Sequence, residues 1–144
     1  MIDDSVSHGA MGAPITGARR VGHLILRYGA MVFGVAVLVQ IYLAGAGIFA
    51  AAGPVSQASS LDAHRLLGNI LAGVAFLLLI AMIVARPRRR VVVTVVALFV
   101  LTGVEGLLAT AGGTLPYLGA LHPVVAVLIV GLTVRTLLLV SRVK

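Results

Sequence analysis

Four long apolar runs, separated by short polar or basic breaks, fill most of the chain. The 26 residues between Arg27 and Pro54 carry no charge, and only Gln40 interrupts their apolar character. A run of that length spans a bilayer core with some tilt and predicts a helix over about 28–52. Between Arg65 and Arg86 another 20 residues are uncharged. Upstream, Ser59-Ser60-Leu61-Asp62 offers a capping serine with a carboxylate close behind it, so a second helix is expected over about 60–85. The tract Arg86-Pro87-Arg88-Arg89-Arg90 breaks the pattern as a tight basic loop. A third helix follows over about 91–111, ended by Gly112-Gly113, and a fourth over about 115–140 has Pro116 in its first turn.

This pattern predicts an all-α fold, an integral membrane four-helix transmembrane bundle. Composition agrees: 60% of the 144 residues are hydrophobic, 10% are charged, and the mean hydropathy is +1.16. A water-soluble domain of this size has no surface on which to place so much apolar material, so the expected solvent is lipid. One domain, residues 24–144, accounts for all four helices. Residues 1–23, rich in Gly, Ser and Pro and without a continuous apolar stretch, read as a disordered tail.

The charge of +7 would suit nucleic acid if it formed a patch with interleaved aromatics. Instead the basic residues sit at the ends of apolar runs, as membrane anchors, and no nucleic-acid partner is expected. Arg19, Arg20 and Arg27 precede the first helix; Arg86 and Arg88 to Arg90 join the second and third; Arg135, Arg142 and Lys144 close the fourth. The other two connections hold almost none. By the positive-inside rule both termini are cytoplasmic, and the loops at 53–60 and 112–116 face outward. The absence of cysteine removes disulfides, iron–sulfur clusters and thiolate metal sites. Any cofactor must use His, carboxylate or backbone ligands.

Few polar residues lie inside the apolar runs, and an ionisable group there is a candidate for function. His64 sits about four residues into the second helix and His122 about six into the fourth, depths of roughly 6 and 9 Å. Both helices start outside, so the two imidazoles share one level near the outer face. Two neutral imidazoles on different helices of a four-helix core are the ligand pair of a six-coordinate haem. Gly68, Ala72 and Ala75 on the His64 face, and Gly119 and Ala126 near His122, leave room for a flat macrocycle, as do Gly45, Gly47, Gly103 and Gly106. Arg65 stands where it could pair with a haem propionate. Glu105, roughly 9 Å down the third helix, falls in the same layer. It should be neutral or paired, and it could orient a ligand histidine, pair with Arg65 or relay protons. The plainer reading of the same features is also open: interfacial histidines, helix-packing glycines, and Gln40 and Asn69 as interhelical glue. Arg135 is expected to snorkel, and His8 and His23 receive no role.

Leu61-Asp62-Ala63-His64-Arg65-Leu66-Leu67 and Leu121-His122-Pro123 resemble one four-helix half of haem A synthase, a membrane protein of two four-helix bundles. In that family each bundle carries a histidine on its second helix, often followed by Arg, and another on its fourth. Together with Gln40-Ile41-Tyr42-Leu43-Ala44-Gly45, the same segments also resemble a group of short bacterial four-helix membrane proteins of unassigned function, over about residues 28–140. The resemblance implies haem binding and a bacterial inner (cytoplasmic) membrane. One departure limits it: the synthase's catalytic bundle has a glutamate three residues before its helix-two histidine, where this chain has Leu61, with Asp62 next. Oxidation of a haem methyl group is therefore not carried over, and no catalytic residue is assigned.

The first expectation is a small b-type cytochrome, with haem b held by His64 and His122 as metal ligands and Arg65, Glu105, Gly68 and Gly119 around it. A lone haem near one face cannot cross a core of about 30 Å, so electrons would pass to or from a quinol or a redox partner protein. The alternative is a non-catalytic packing subunit or assembly factor of a larger membrane complex. A proton or cation path through Glu105, His64 and His122 finds no matching polar residues in the inner half. Zinc or copper at these three falls short of the usual four ligands.

Overall fold

The computed structural model describes residues 17–52 and 60–141. The loop at 53–59, residues 1–16 of the expected tail, and Arg142 and Lys144 lie outside the described residues. Five helices are described: α1 (Gly17–Ala51), α2 (Asp62–Ala85), α3 (Arg89–Ala111), α4 (Pro116–Gly119) and α5 (His122–Ser141). Four segments, with α4 and α5 counted together as 116–141, are long and apolar enough to cross a membrane.

Each long helix packs on two neighbours: α1 on α2 and α5, and α3 on α2 and α5, in an up-down-up-down ring. The starts of α1 and α3 and the ends of α2 and α5 share one end of the bundle, where the arginines gather. His64 and His122 mark the other. Between them lies a core of Leu26, Phe33, Leu78, Val95 and Leu98, nearly inaccessible to solvent. The outward faces carry large apolar side chains, among them Phe49 at 82% and Tyr117 at 90% exposure. Such a surface suits lipid contact and would be very costly in water.

The first helix begins at Gly17, well before Tyr28, so residues 17–23 are helical where a tail was expected. The reason is packing. Gly22, Leu26, Ala30, Phe33 and Val37 recur every three or four residues as the buried stripe of α1. At its start a Cβ on Gly22 would lie 2.8 Å from the Ala85 backbone nitrogen, so α1 and α2 meet there backbone to backbone. Arg19 adds a bond from Nε to the Ala85 carbonyl at 3.5 Å, supplying a donor to an orphan acceptor at the end of α2. Gly22→Val should therefore lower thermal stability by about 1–3 kcal/mol, read by circular dichroism in detergent. Gly73→Val, whose Cβ would meet nothing within 4 Å, serves as the neutral comparison.

Helix boundaries differ at three further places. The N-cap of α2 is Leu61, which has no side-chain acceptor; Asp62 of the expected capping box instead pairs with Arg65 at 3.1 Å. At the C-cap of α3 Gly112 is right-handed, with φ −60°, so its value is not a left-handed turn. A Cβ on it would come 2.9 Å from Gly119 Cα, and the reverse holds for Gly119. The two glycines let the chain double back tightly between α3 and α4. The fourth apolar run is broken between Gly119 and His122. Pro123 has no N–H for the Gly119 carbonyl and its ring crowds that oxygen, so α5 starts afresh with proline in its first turn.

At the arginine end a three-residue link, Arg86 to Arg88, joins α2 to α3. Arg86 is the only described non-glycine residue with positive φ, at 48°. Its N–H donates to the Met82 carbonyl at 3.0 Å. A left-handed side chain costs roughly 1–2 kcal/mol, and Pro87 disfavours the helical alternative.

Candidate functional site

The sequence places Gln40 and Glu105 inside the first and third apolar runs, and His64 and His122 near the starts of the second and fourth. Folding brings these four side chains into one layer near the mouth of the bundle. His64 Nδ1 lies 3.2 Å from the Gln40 backbone carbonyl on α1. His122 Nδ1 lies 3.3 Å from the Glu105 backbone carbonyl on α3. A carbonyl oxygen only accepts, so each bond requires the hydrogen on Nδ1 and leaves Nε2 with the lone pair. The two halves of the bundle thus repeat one device: a helix bearing Gln or Glu, side chains of equal shape, offers its backbone to the histidine of the next long helix. The sequence shows only a loose trace of this repeat, an early histidine in alternate helices.

The two rings meet across the bundle, from α2 to α5, with centroids 6.1 Å apart and planes at 75°. Metal–imidazole bonds of about 2 Å on either side of one ion place trans ring centres roughly 6 Å apart. In centroid spacing, the pair matches two imidazoles on one iron. The donor set fits as well, since the Nδ1 contacts leave Nε2 as the nitrogen on offer from each ring.

Around the pair, Gln40 holds His64 closely. Its Nε2 donates to the His64 carbonyl at 2.9 Å and comes within 3.5 Å of His64 Nε2. Glu105 Oε1 stands 3.3 Å from His122 Nδ1. Two oxygens remain buried without a hydrogen-bond partner, Gln40 Oε1 and Glu105 Oε2. An unmet buried polar atom costs about 1–3 kcal/mol. One beside each histidine marks a layer whose polar groups are incompletely satisfied by the chain itself.

The other expected site residues divide. Gly68 belongs to the layer, because a Cβ there would lie 3.2 Å from Gln40 Nε2; its smallness makes room for the glutamine. Arg65 is paired with Asp62 at the exposed rim, one residue along from His64. Gly119 is used against Gly112 in the chain reversal. Ala72 is exposed and Leu71 takes its expected inward place, so the core directly below His64 is filled by a large side chain. Gly45, Gly103 and Gly106 would each point a Cβ into open space, whereas Gly47 packs on Leu61 and Ser60. Asn69 lies on the exposed face and is not interhelical glue. Gln40, expected as interhelical glue, does bond from α1 to the His64 carbonyl on α2, and its approach to the imidazole is what the sequence did not reveal.

Among the described residues no three His, Asp or Glu side chains form a metal-holding group. A three-ligand zinc or copper site of His64, His122 and Glu105 therefore has no geometric basis, while a two-histidine set remains. Deeper in the bundle Thr94, Thr133 and Thr136 are buried, but each hydroxyl is bonded to a carbonyl of its own helix at 2.7–3.0 Å. They do not continue the polar layer towards the arginine end.

The chain belongs to a family of unknown function (DUF6220), whose model matches residues 40–111. The match begins at Gln40, includes His64 and Glu105, and ends before Gly119 and His122. No curated protein and no solved structure matches the chain.

Proposed function

We propose that this member of the DUF6220 family is a small b-type membrane cytochrome in which His64 and His122 would hold one haem b. The observation that carries the reading is the pair of imidazoles, 6.1 Å apart from diagonally placed helices, each presenting a lone-pair nitrogen. When bound, the haem would supply reversible one-electron transfer.

The chain's own residues do the rest. The Gln40 and Glu105 carbonyls hold the tautomer and orientation of the two histidines, as hydrogen-bonded partners of ligating histidines generally do. The Gln40 side-chain amide stands 3.5 Å from His64 Nε2, and its 2.9 Å bond to the His64 carbonyl keeps it beside that ring. Glu105, with one oxygen on His122 and one unmet, is placed to hold a proton beside the ligand pair. Arg65, paired with Asp62 at the rim, would hold a haem propionate. The test is an optical spectrum of the detergent-purified protein, oxidised and then reduced with dithionite. A sharp reduced α-band of b type is expected; a colourless, well-folded protein made with ample haem would remove the reading. A packing subunit or assembly factor would then take first place.

In the same reading the chain spans the inner membrane of a bacterium with both termini in the cytoplasm. The arginine end then lies inside and the histidine layer near the outer face, where a quinol or a redox partner protein exchanges electrons with it. Cysteine labelling from outside should modify Gly113→Cys and spare Arg88→Cys. The reverse pattern would put the histidine layer at the cytoplasmic face.

A further inference from the structure

At the arginine end, beside the close approach of α1 and α2, their outward side chains leave an apolar groove of about 510 Å³. Its volume lies within the roughly 300–1,000 Å³ of ordinary ligand sites. Small residues, Ala18, Gly22 and Ala81, form part of its lining, alongside Ile25, Leu77 and Val84. The Gly22–Ala85 backbone contact draws the two helices together along it. Only hydrocarbon suits such a lining.

Charge at the end of the groove is of one sign. Arg19 follows the lining residue Ala18 and is anchored to the Ala85 carbonyl. Arg86 lies two residues beyond the lining residue Val84, exposed and left-handed, at a position where glycine is the usual occupant. Arg20, Arg88, Arg89 and Arg90 are exposed at the same end. The described acids, Asp62 and Glu105, both belong to the opposite end, so no described carboxylate neutralises these guanidinium groups.

We infer that the α1–α2 groove binds one anionic phospholipid, its acyl chain along Ala18, Gly22, Ile25 and Leu77 and its phosphate at Arg19 and Arg86. The apolar groove explains why the ligand is a lipid, and the uncompensated arginines explain why it is anionic. The site is independent of the histidine layer.

Native mass spectrometry of the detergent-purified full chain, titrated with phosphatidylglycerol or phosphatidylcholine, tests it. Phosphatidylglycerol should be retained as a single tight adduct and phosphatidylcholine bound several-fold more weakly. Arg86→Gly removes the charge while suiting the left-handed backbone, so the fold is kept and affinity should fall about fivefold. Ala18→Phe fills the groove mouth from an exposed position and should weaken both lipids. Arg135→Ala removes an equal charge from α5 and should change affinity little. Inorganic phosphate should not compete at millimolar concentration, because it lacks the chain. Equal binding of the two lipids, or equal losses for Arg86→Gly and Arg135→Ala, would overturn the site in favour of general charge attraction. Binding unchanged by Ala18→Phe would place the lipid elsewhere.

Discussion

His64→Ala and His122→Ala should each abolish the low-spin haem spectrum of the purified protein. If both imidazoles hold the proposed haem, the reduced α-band should be sharp and carbon monoxide should bind slowly or not at all. Either variant would leave one imidazole to hold the proposed haem, so haem content per chain should fall severalfold. The structure gives the two variants different secondary effects. His64→Ala releases Gln40 from its contact with the imidazole but leaves the 2.9 Å bond to the backbone carbonyl of residue 64. His122→Ala removes the group that Glu105 Oε1 faces, leaving both carboxyl oxygens of Glu105 unmet in the buried layer. The His122 variant should therefore be the less stable of the two. His23→Ala, far from the layer at the arginine end, is the control. If both core variants keep the parental spectrum, the ligand pair is wrong even where haem is present.

Glu105→Gln should separate charge from shape at the second large effect. Gln has the geometry of Glu and already serves the equivalent place at residue 40, so the variant should fold and keep the His122 contact. What it loses is an exchangeable proton beside the ligand pair. If Glu105 takes up a proton as the iron is reduced, the midpoint potential of the parent falls with rising pH by up to about 59 mV per unit over the range where the group titrates. The variant should lose most of that slope. His64 and His122 face the same layer, and Arg65 is paired with Asp62 at its rim, so the comparison requires all four unchanged. Glu105→Leu extends the test: it should lower stability by about 0.6 kcal/mol or more, the typical worth of one interhelical bond in a membrane protein. A parent potential already flat with pH would deny Glu105 its proton-holding role and leave it a packing residue.

Much of the architecture was legible along the chain because membrane helices are specified by local composition. An uncharged run such as Leu66 to Ala85 is helical in lipid, since a helix satisfies its backbone within one segment and a barrel strand is only about half as long. The break at Arg86-Pro87 and the turn near Gly112 are equally local. The candidate histidines could be named from the sequence for the same reason: few polar residues stand in these runs, and each is conspicuous.

What the sequence could not decide was rotation and contact. Helical periodicity is weak when lipid and protein faces are both apolar, so Ala72 and Leu71 cannot be ranked as inward by hydrophobicity, and the fold chose Leu71. The same weakness hid the start of α1: Gly17 to His23 reads as a polar lead-in until Gly22 is found against Ala85. Gly119 reads as space beside His122 until it meets Gly112 across the chain reversal. Gln40 and Glu105 differ in charge and lie on separate helices; only their backbone carbonyls, each bonded to a histidine Nδ1, make them counterparts. Composition and length alone determine that the chain forms spanning helices, because the bilayer acts on every residue separately. Which side chains meet is set by helix rotation and close backbone approach, and these depend on pairs of residues far apart in the chain.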